Sequence, residues 1–137
     1  MATFTFFNSF KEAMPEKVHN LGSDTLHWML TNTAPVATNT VLANLTEIAA
    51  GNGYTAGGAA VTVSSSAQSG GTYTLALNSC AFTAAGGSFA AFRYIVLYNN
   101  TATNDELVGW IDYGTAYTLT NGNVFTIPAG TAFTLSG

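Results

Sequence analysis

Apolar and polar residues alternate along most of the chain, and this pattern predicts β-strands rather than helices. Leu26, Trp28 and Leu30 fall on one face of the first long alternation, and His27 and Met29 fall on the more polar face, which is typical of a half-buried strand. Turn-forming residues separate this segment from the later ones, so the strands are short and closely spaced. Further strands are predicted at residues 59–64, 72–77, 107–113 and 131–135.

Two segments add detail to this pattern. Residues 89–98 are apolar on both faces, with Phe92 on the same side as Val96, which predicts a central strand covered on both sides. Residues 117–127, interrupted by Asn121-Gly122, predict a β-hairpin. Together the segments predict a mostly-β protein: an antiparallel β-sandwich or jelly-roll-like fold with a short N-terminal helix.

Helical periodicity is longest in the first twenty residues, and the spacing of Val41, Leu45 and Ile48 predicts one or two further helical turns. Phe10, Met14 and Val18 recur every four residues, which predicts a helix capped at residue 8 or 9 and running to about Val18. Pro15 lies inside this helix and either kinks or restarts it, because proline has no backbone N–H to donate. Residues 1–20 are therefore expected to form an N-terminal arm and helix.

Four phenylalanines are concentrated in this arm, at Phe4, Phe6, Phe7 and Phe10. They are either part of the core or an apolar arm that docks on a neighbouring protein, since exposed apolar patches of that size mark interaction sites. Both alternatives stay open from the sequence, and the four residues are candidate protein–protein contacts.

The chain carries unusually little charge for its 137 residues, a length that predicts a single domain over residues 1–137. Charged residues make up 7%, against about 25% in a typical soluble domain. The only basic residues are Lys11, Lys17 and Arg93, too few to neutralise the phosphates of a nucleic acid or to bind an anionic membrane. No apolar run reaches the roughly 20 residues of a membrane span, and the N-terminus lacks the pattern of a signal peptide. A neutral, threonine-rich surface suits permanent contact with other proteins, because it costs little to desolvate.

Candidate catalytic groups are few. His19 and His27 are the only histidines, and neither stands in an order that resembles a catalytic triad. We expect His19 at the end of the predicted helix, where a cation complements the helix dipole, and His27 at the surface or in an interface. Cys80 is the only cysteine, and its strand-like setting predicts a buried, inert thiol. We therefore expect no enzyme and no cofactor.

The remaining polar motifs also favour structural roles. Asp105, Glu106 and Asp112 lack the spacing of a calcium loop and are expected in a solvated loop without a bound metal. The glycine-dense run at residues 51–58 lacks the Lys-Ser or Lys-Thr of a phosphate-binding loop. Its glycines instead predict positive φ angles and close backbone approach. Tyr54 lies inside this run and is a further candidate contact.

Arg93 is the only arginine, and it lies in the most apolar predicted strand. A cation in that position needs a partner, and the candidates are Asp112, Glu47 or a group of another subunit. Arg93 is therefore either one half of an ion pair within the fold or an anchor in an interface, where arginine is enriched.

In order along the chain, these segments resemble a group of small structural proteins of tailed bacteriophages. The resemblance rests on the phenylalanine-rich helix at residues 6–18, GSDTLHWMLTN (22–32), GNGYTAGG (51–58), the apolar strand 89–99, LVGWIDYG (107–114) and the C-terminal hairpin. It implies a virion protein, most of all a capsid cement or decoration protein on the capsid surface. No catalytic residues come with this group, and no receptor-binding domain is expected after Leu135.

The resemblance leaves two functions open. A cement protein would homo-oligomerise, with a trimer favoured, and would bind and stabilise the lattice of the major capsid protein. A tail or fibre module would instead recognise a host surface ligand such as a glycan. Aromatic platforms for that role are expected among Trp28, Tyr54, Trp110 and Tyr113.

Overall fold

A computed structural model of the protein describes residues 4–136, and over that range nearly all of the regular secondary structure consists of antiparallel strands. The predicted mostly-β sandwich with a short N-terminal helix is confirmed. Residues 1–3 of the predicted arm, and Gly137, lie outside the described residues. The strands are β1 (Phe4–Phe6), β2 (Leu26–Thr31), β3 (Ala59–Val61), β4 (Val63–Ser69), β5 (Thr72–Leu77), β6 (Cys80–Thr83), β7 (Phe92–Asn99), β8 (Leu107–Tyr117), β9 (Val124–Ile127) and β10 (Gly130–Ser136). Helix α1 spans Phe10–Ala13, and a 3-10 turn spans Leu42–Asn44.

The front layer is a five-stranded sheet in the order β1-β8-β7-β2-β3. Strand β7 lies at its centre, as its two apolar faces predict. Ile95 and Leu97 point into the main core between the layers, whereas Val96 and Tyr98 belong to a second cluster on the outer face. All four side chains are nearly or completely buried.

The back layer consists of a three-stranded sheet, β10-β5-β4, and a two-stranded sheet, β6-β9. The two share one register, because Leu77 opposes Gly130 and, three residues further on, Cys80 opposes Ile127. Strands β9 and β10 therefore follow one another along the same edge of this layer. Strand β4 forms the opposite edge of the three-stranded sheet.

The predicted hairpin at residues 117–127 is wrong, because β9 pairs with β6 and not with β8. After β8 the chain crosses to the back layer, where Phe89 N donates to Leu119 O and Gly122 N donates to Ala84 O. The crossing lets Phe125 pack edge-on against Phe92, with ring centroids 5.0 Å apart. The predicted turn at Asn121-Gly122 is present, but β9, the strand that follows it, pairs with β6 in the back layer.

The helix is also shorter than predicted. It ends at Ala13 instead of continuing to about Val18, and turns follow it. Pro15 neither kinks nor restarts the helix: it has no N–H to donate, and the bonds beyond it, such as Glu16 N to Glu12 O and Val18 N to Ala13 O, form turns and no further helix. The backbone of Lys17 then adopts φ of +70°, which directs the chain away from the helix axis.

The predicted half-buried character of β2 is wrong, since both of its faces are covered. Met29, on the face expected to meet solvent, is fully buried in the second cluster with Phe7 and Leu107. Leu42 and Leu45, from the long connection between β2 and β3, pack over this cluster. This covering segment lies outside β2 in the sequence, so the alternation within β2 does not predict that its second face is buried.

Phe92 does not share a face with Val96 as predicted. The register between β7 and β8 shifts between Phe92 and Tyr94, so the regular alternation of side chains does not extend to Phe92. Phe92 consequently joins Ile95 in the main core and is fully buried.

Candidate functional site

The four N-terminal phenylalanines lie within the chain's own core or against it. Strand β1 pairs with β8, so that Phe4 opposes Ile111. Phe7 and Phe10 are 0% and 2% exposed, and Phe4 and Phe6 are partly buried against the main core. The segment is therefore part of the core and not an arm that docks on a neighbouring protein. Phe7 and Phe10 are inaccessible as contacts for a partner.

Tyr54 is also a core residue and not a surface contact, since its side chain is only 3% exposed. Its hydroxyl donates to Glu47 Oε2 at 2.7 Å and accepts a hydrogen bond from Leu30 N at 3.2 Å. Burial, with the Glu47 carboxylate close by, raises the pKa of this hydroxyl well above its usual value. Gly57 N donates to the same carboxylate at 3.0 Å, so Glu47 ties the glycine-dense loop to the tyrosine.

The glycine-dense loop has the structural role that the sequence predicts. Gly58 adopts φ of +81°, and a Cβ atom there would lie 1.9 Å from the Trp28 carbonyl oxygen. Gly53 adopts φ of +103°, and its Cβ would lie 2.1 Å from the Thr83 carbonyl oxygen. Only glycine allows the loop to lie this close to two neighbouring segments.

Arg93 pairs within its own chain with Asp112, one of the partners predicted from the sequence. Its Nε donates to Asp112 Oδ1 at 2.8 Å and its Nη2 to Oδ2 at 3.1 Å. The guanidinium carbon also lies 5.3 Å from the centroid of the Tyr94 ring. The two charged side chains remain 39% and 44% exposed, so a partner could still reach the pair.

This pairing separates the three acidic residues of the predicted loop group. Asp112 lies on β8, whereas Asp105 and Glu106 precede that strand. The hydrogen bond from Arg93 also holds the pKa of Asp112 below its usual value. Within residues 4–136, no group of three or more His, Cys, Asp and Glu side chains is arranged to hold a metal ion.

A buried polar cluster joins residues that no sequence motif connects. His19 is 4% exposed, and Asn99 Nδ2 lies within hydrogen-bond distance of His19 Nδ1, at 2.9 Å, and of Asp24 Oδ2, at 2.6 Å. Burial lowers the pKa of His19, against the opposing pull of Glu106 and Asp24. His19 is therefore a buried group that holds the turn before β2 to the end of β7, and the prediction of a helix-end cation is wrong.

Two other predicted residues take ordinary places in the fold. His27 is half-buried, with its Nδ1 3.4 Å from the Tyr98 hydroxyl. Cys80 is buried, as predicted, and burial raises the pKa of its thiol. A raised pKa disfavours the nucleophilic thiolate, which fits an inert thiol.

Among the four aromatic residues considered as ligand platforms, Tyr113 alone is exposed, at 45%. Trp28 and Tyr54 are buried, and Trp110 packs on Phe7 with ring centroids 4.6 Å apart. Tyr113 belongs to an open hollow of about 510 Å³ between the end of β8 and β9. We call this the Tyr113 hollow; it is lined by Ile95, Ile111, Tyr113, Tyr117, Val124, Phe125, Thr126, Ile127 and Pro128.

A second apolar hollow lies beside β10. Its volume is about 590 Å³, and Leu135, 36% exposed, forms one wall. We call this the Leu135 hollow; it is lined by Phe6, Phe10, Lys11, Met14, Pro15 and Leu135. Lys11, in the Leu135 hollow, is the only charged residue that lines either of the two hollows. Sequence alternation alone cannot locate these hollows, because each is formed by segments distant along the chain.

The described residues include no helix with the length and hydrophobicity to cross a membrane. Comparison of the chain with protein-family models, curated protein sequences and solved structures finds no match.

Proposed function

We propose that the protein is a structural component of a virion, a capsid cement protein that binds and stabilises the lattice of the major capsid protein without catalysis. The observation that carries the proposal is exposed apolar surface on the edge that β9 and β10 form, around Tyr113 and Val124 at one end and around Leu135 at the other. It belongs to a chain segment, residues 113–137, that contains no Asp, Glu, Lys, Arg or His.

This surface chemistry supports permanent assembly. Charged groups must lose their hydration when they enter an interface, and Lys11 is the one charged residue that lines the hollows of this surface. Aromatic residues are enriched in the cores of protein interfaces, whereas charged residues are depleted there. The sequence resemblance to small virion proteins adds the capsid lattice as the partner.

Copy number in purified virions tests the proposal. A cement protein covers the whole lattice, so quantitative mass spectrometry should find it at hundreds of copies per particle, in a fixed ratio to the major capsid protein. Particles assembled without it should lose their genome at a lower temperature than complete particles. Absence from virions, or only a handful of copies in each, would refute the role of a capsid cement.

A second candidate function is a tail or fibre module that binds a host surface ligand. The exposed Tyr113 ring favours it, because aromatic side chains stack on the apolar faces of sugars. Tyr113 contacts Tyr117 and Phe125, with ring centroids 5.7 and 5.6 Å apart. A glycan array with the purified protein, compared with Tyr113→Ala, tests this function: binding by the wild type that the variant loses supports it, and an empty array contradicts it.

A further inference from the structure

We infer that two copies of this chain associate about a two-fold axis through the edge formed by β9 and β10, with the two edges antiparallel. The inference concerns the protein in solution and does not rest on the proposed role in a virion; it assigns the exposed apolar surface at Tyr113, Val124 and Leu135 to a second copy of the chain, so that a capsid lattice would bind elsewhere on the molecule. It replaces the trimer that the sequence resemblance implies with a two-fold pair.

The β9–β10 edge, residues 124–136, is long and open. Strand β9 pairs only with β6, and β10 pairs only with β5, among the residues that the structure describes. The outer backbone N–H and C=O groups of both strands therefore have no strand partner within the described chain. Such an edge is a template for another strand, which supplies the matching donors and acceptors.

Charge, a common protection of a free edge, is missing here. Monomeric proteins place lysine or other charges on edge strands to prevent pairing, but this edge has no charged residue. Two irregularities interrupt it: Pro128, between the two strands, and a register shift between Thr131 and Phe133. Strand β10 still keeps continuous pairing with β5 from Phe133 to Ser136.

The same edge carries exposed apolar side chains that the opposite edge lacks. Val124 and Leu135, 53% and 36% exposed, lie on it, and Tyr113 lies across the hollow from Val124. The exposed side chains of β4, at the other edge of the three-stranded sheet, are serine, alanine and glutamine. Burial of apolar surface therefore favours contact at the β9–β10 edge over contact at β4.

A second copy fits this edge because the edge complements itself. A two-fold axis reverses the strand direction, so the Val124 end of one copy lies beside the Leu135 end of the other. The Tyr113 hollow of each copy then faces the Leu135 hollow of its partner. Neither copy brings a charge on its strands, and Lys11, the one charged residue in the facing hollows, meets the uncharged Tyr113 hollow of the partner, so no like-charge repulsion opposes the contact. Antiparallel pairing is also slightly the more stable form.

The available surface is large enough for a stable dimer. Strands β9 and β10, of four and seven residues, are joined by Pro128 and Ala129, so the edge spans at most about 40 Å, and a two-layer sandwich is roughly 20 Å thick with its side chains. This side of the molecule thus offers on the order of 800 Å² per copy, which is the area of a standard stable interface. Two-fold dimers are also the commonest closed assemblies.

Light scattering on the purified full-length chain, with a matched pair of variants, tests the inference. Thr134 and Ala67 both oppose Thr74, one from each edge of the three-stranded sheet, and both are exposed. Thr134→Lys places a charge on the proposed interface of each copy, whereas Ala67→Lys adds the same charge at the opposite edge. We expect the wild type and Ala67→Lys to have twice the chain mass of 14.2 kDa, and Thr134→Lys to be monomeric.

A wild type with the mass of a monomer or a trimer would overturn the inference, as would dissociation caused by Ala67→Lys and not by Thr134→Lys. Circular dichroism shows whether each variant is folded. If Thr134→Lys does not fold, Thr126→Lys, at an exposed position of β9, takes its place.

A cross-linking variant gives an independent readout. The native Cys80 is buried, and Ala129 is exposed near the middle of the edge, where a two-fold axis brings the same residue of both copies together. Ala129→Cys should form a disulfide-linked dimer under mild oxidation, and Ala67→Cys should not. Equal cross-linking of the two variants would indicate random collision and contradict the proposed interface.

Discussion

Phe4 and Phe133, from the first and the last strands of the chain, stack with their ring centroids 5.4 Å apart. The contact joins β1 of the front layer to β10 of the back layer. Phe6 and Phe10 also approach the Phe133 ring, at 4.9 and 5.6 Å between centroids. One side of the sandwich is therefore closed by aromatic rings from the two ends of the chain.

The first prediction concerns the energetic weight of this contact. Phe133 is 6% exposed, whereas Phe4 is only partly buried. Truncation of a buried phenylalanine typically costs about 3–5 kcal/mol, so Phe133→Ala should lower the free energy of unfolding by that amount. Phe4→Ala should cost clearly less, because it leaves a smaller cavity. Urea denaturation of the two variants measures both values, and equal losses would contradict this account of the closure.

The second prediction concerns the glycine-dense loop. Gly58→Ala adds strain at a positive φ and also a collision with the Trp28 carbonyl oxygen, since the new Cβ would lie 1.9 Å from it. Gly71→Ala is the matched control, because Gly71 has φ of +87° with nothing near its Cβ. The control should lose about 1–2 kcal/mol from backbone strain alone, and Gly58→Ala should lose several times more or fail to fold. Thermal unfolding compares them, and similar losses would mean that the close approach to Trp28 has no energetic consequence.

The third prediction concerns the buried hydroxyl of Tyr54. Tyr54→Phe removes the donor to Glu47 and the acceptor for Leu30 N, and the Leu30 amide is left buried without a partner. A buried unsatisfied polar group costs about 1–3 kcal/mol, and the free energy of unfolding should fall by that amount. Tyr73→Phe is the control, since the Tyr73 hydroxyl meets only Ser66 Oγ, at 2.8 Å, in a part-buried position. A larger loss for Tyr73→Phe than for Tyr54→Phe in chemical denaturation would refute the prediction.

The fourth prediction concerns pH. Burial lowers the pKa of His19 below its ordinary value of 6.5, so the unfolded chain binds a proton at a higher pH than the folded chain. The stability that depends on neutral His19 is therefore fully present above pH 6.5 and is lost as the pH falls below that value. We expect the melting temperature of the wild type to fall as the pH is lowered from 7 towards 5, and that of His19→Gln to change less over the same range. Parallel melting curves for the two proteins would show that His19 does not carry this dependence.

Several features of the fold could be predicted from local patterns because their physical causes are local. The apolar character of residues 89–98 on both faces predicted the central position of β7, and the glycines at residues 51–58 predicted a loop that only glycine allows. Asp112 was predicted as a partner of Arg93, since a lone cation in an apolar strand needs a carboxylate on a neighbouring strand.

The candidate site depends on contacts between distant segments, and the sequence pattern does not specify them. Val124 belongs to a strand whose predicted hairpin partner was the segment of Tyr117 and Leu119, but the strand pairs with β6 and leaves an edge open to solvent. The two hollows at that edge are formed by side chains from both ends of the chain and from β8. Local alternation shows that a residue lies on a strand, but it does not show which strand lies beside it.

The sequence by itself determined the fold class, the turns and the nearly uncharged surface, because strand propensity, glycine backbone freedom and side-chain charge are properties of short segments. The tertiary structure decided that both faces of β2 are covered, that Phe92 lies in the main core beside a register shift, and which strand edge remains free. Those outcomes follow from the packing of segments far apart in the chain, in which the burial of apolar side chains in the common core outweighs the local pairing preference of any single strand.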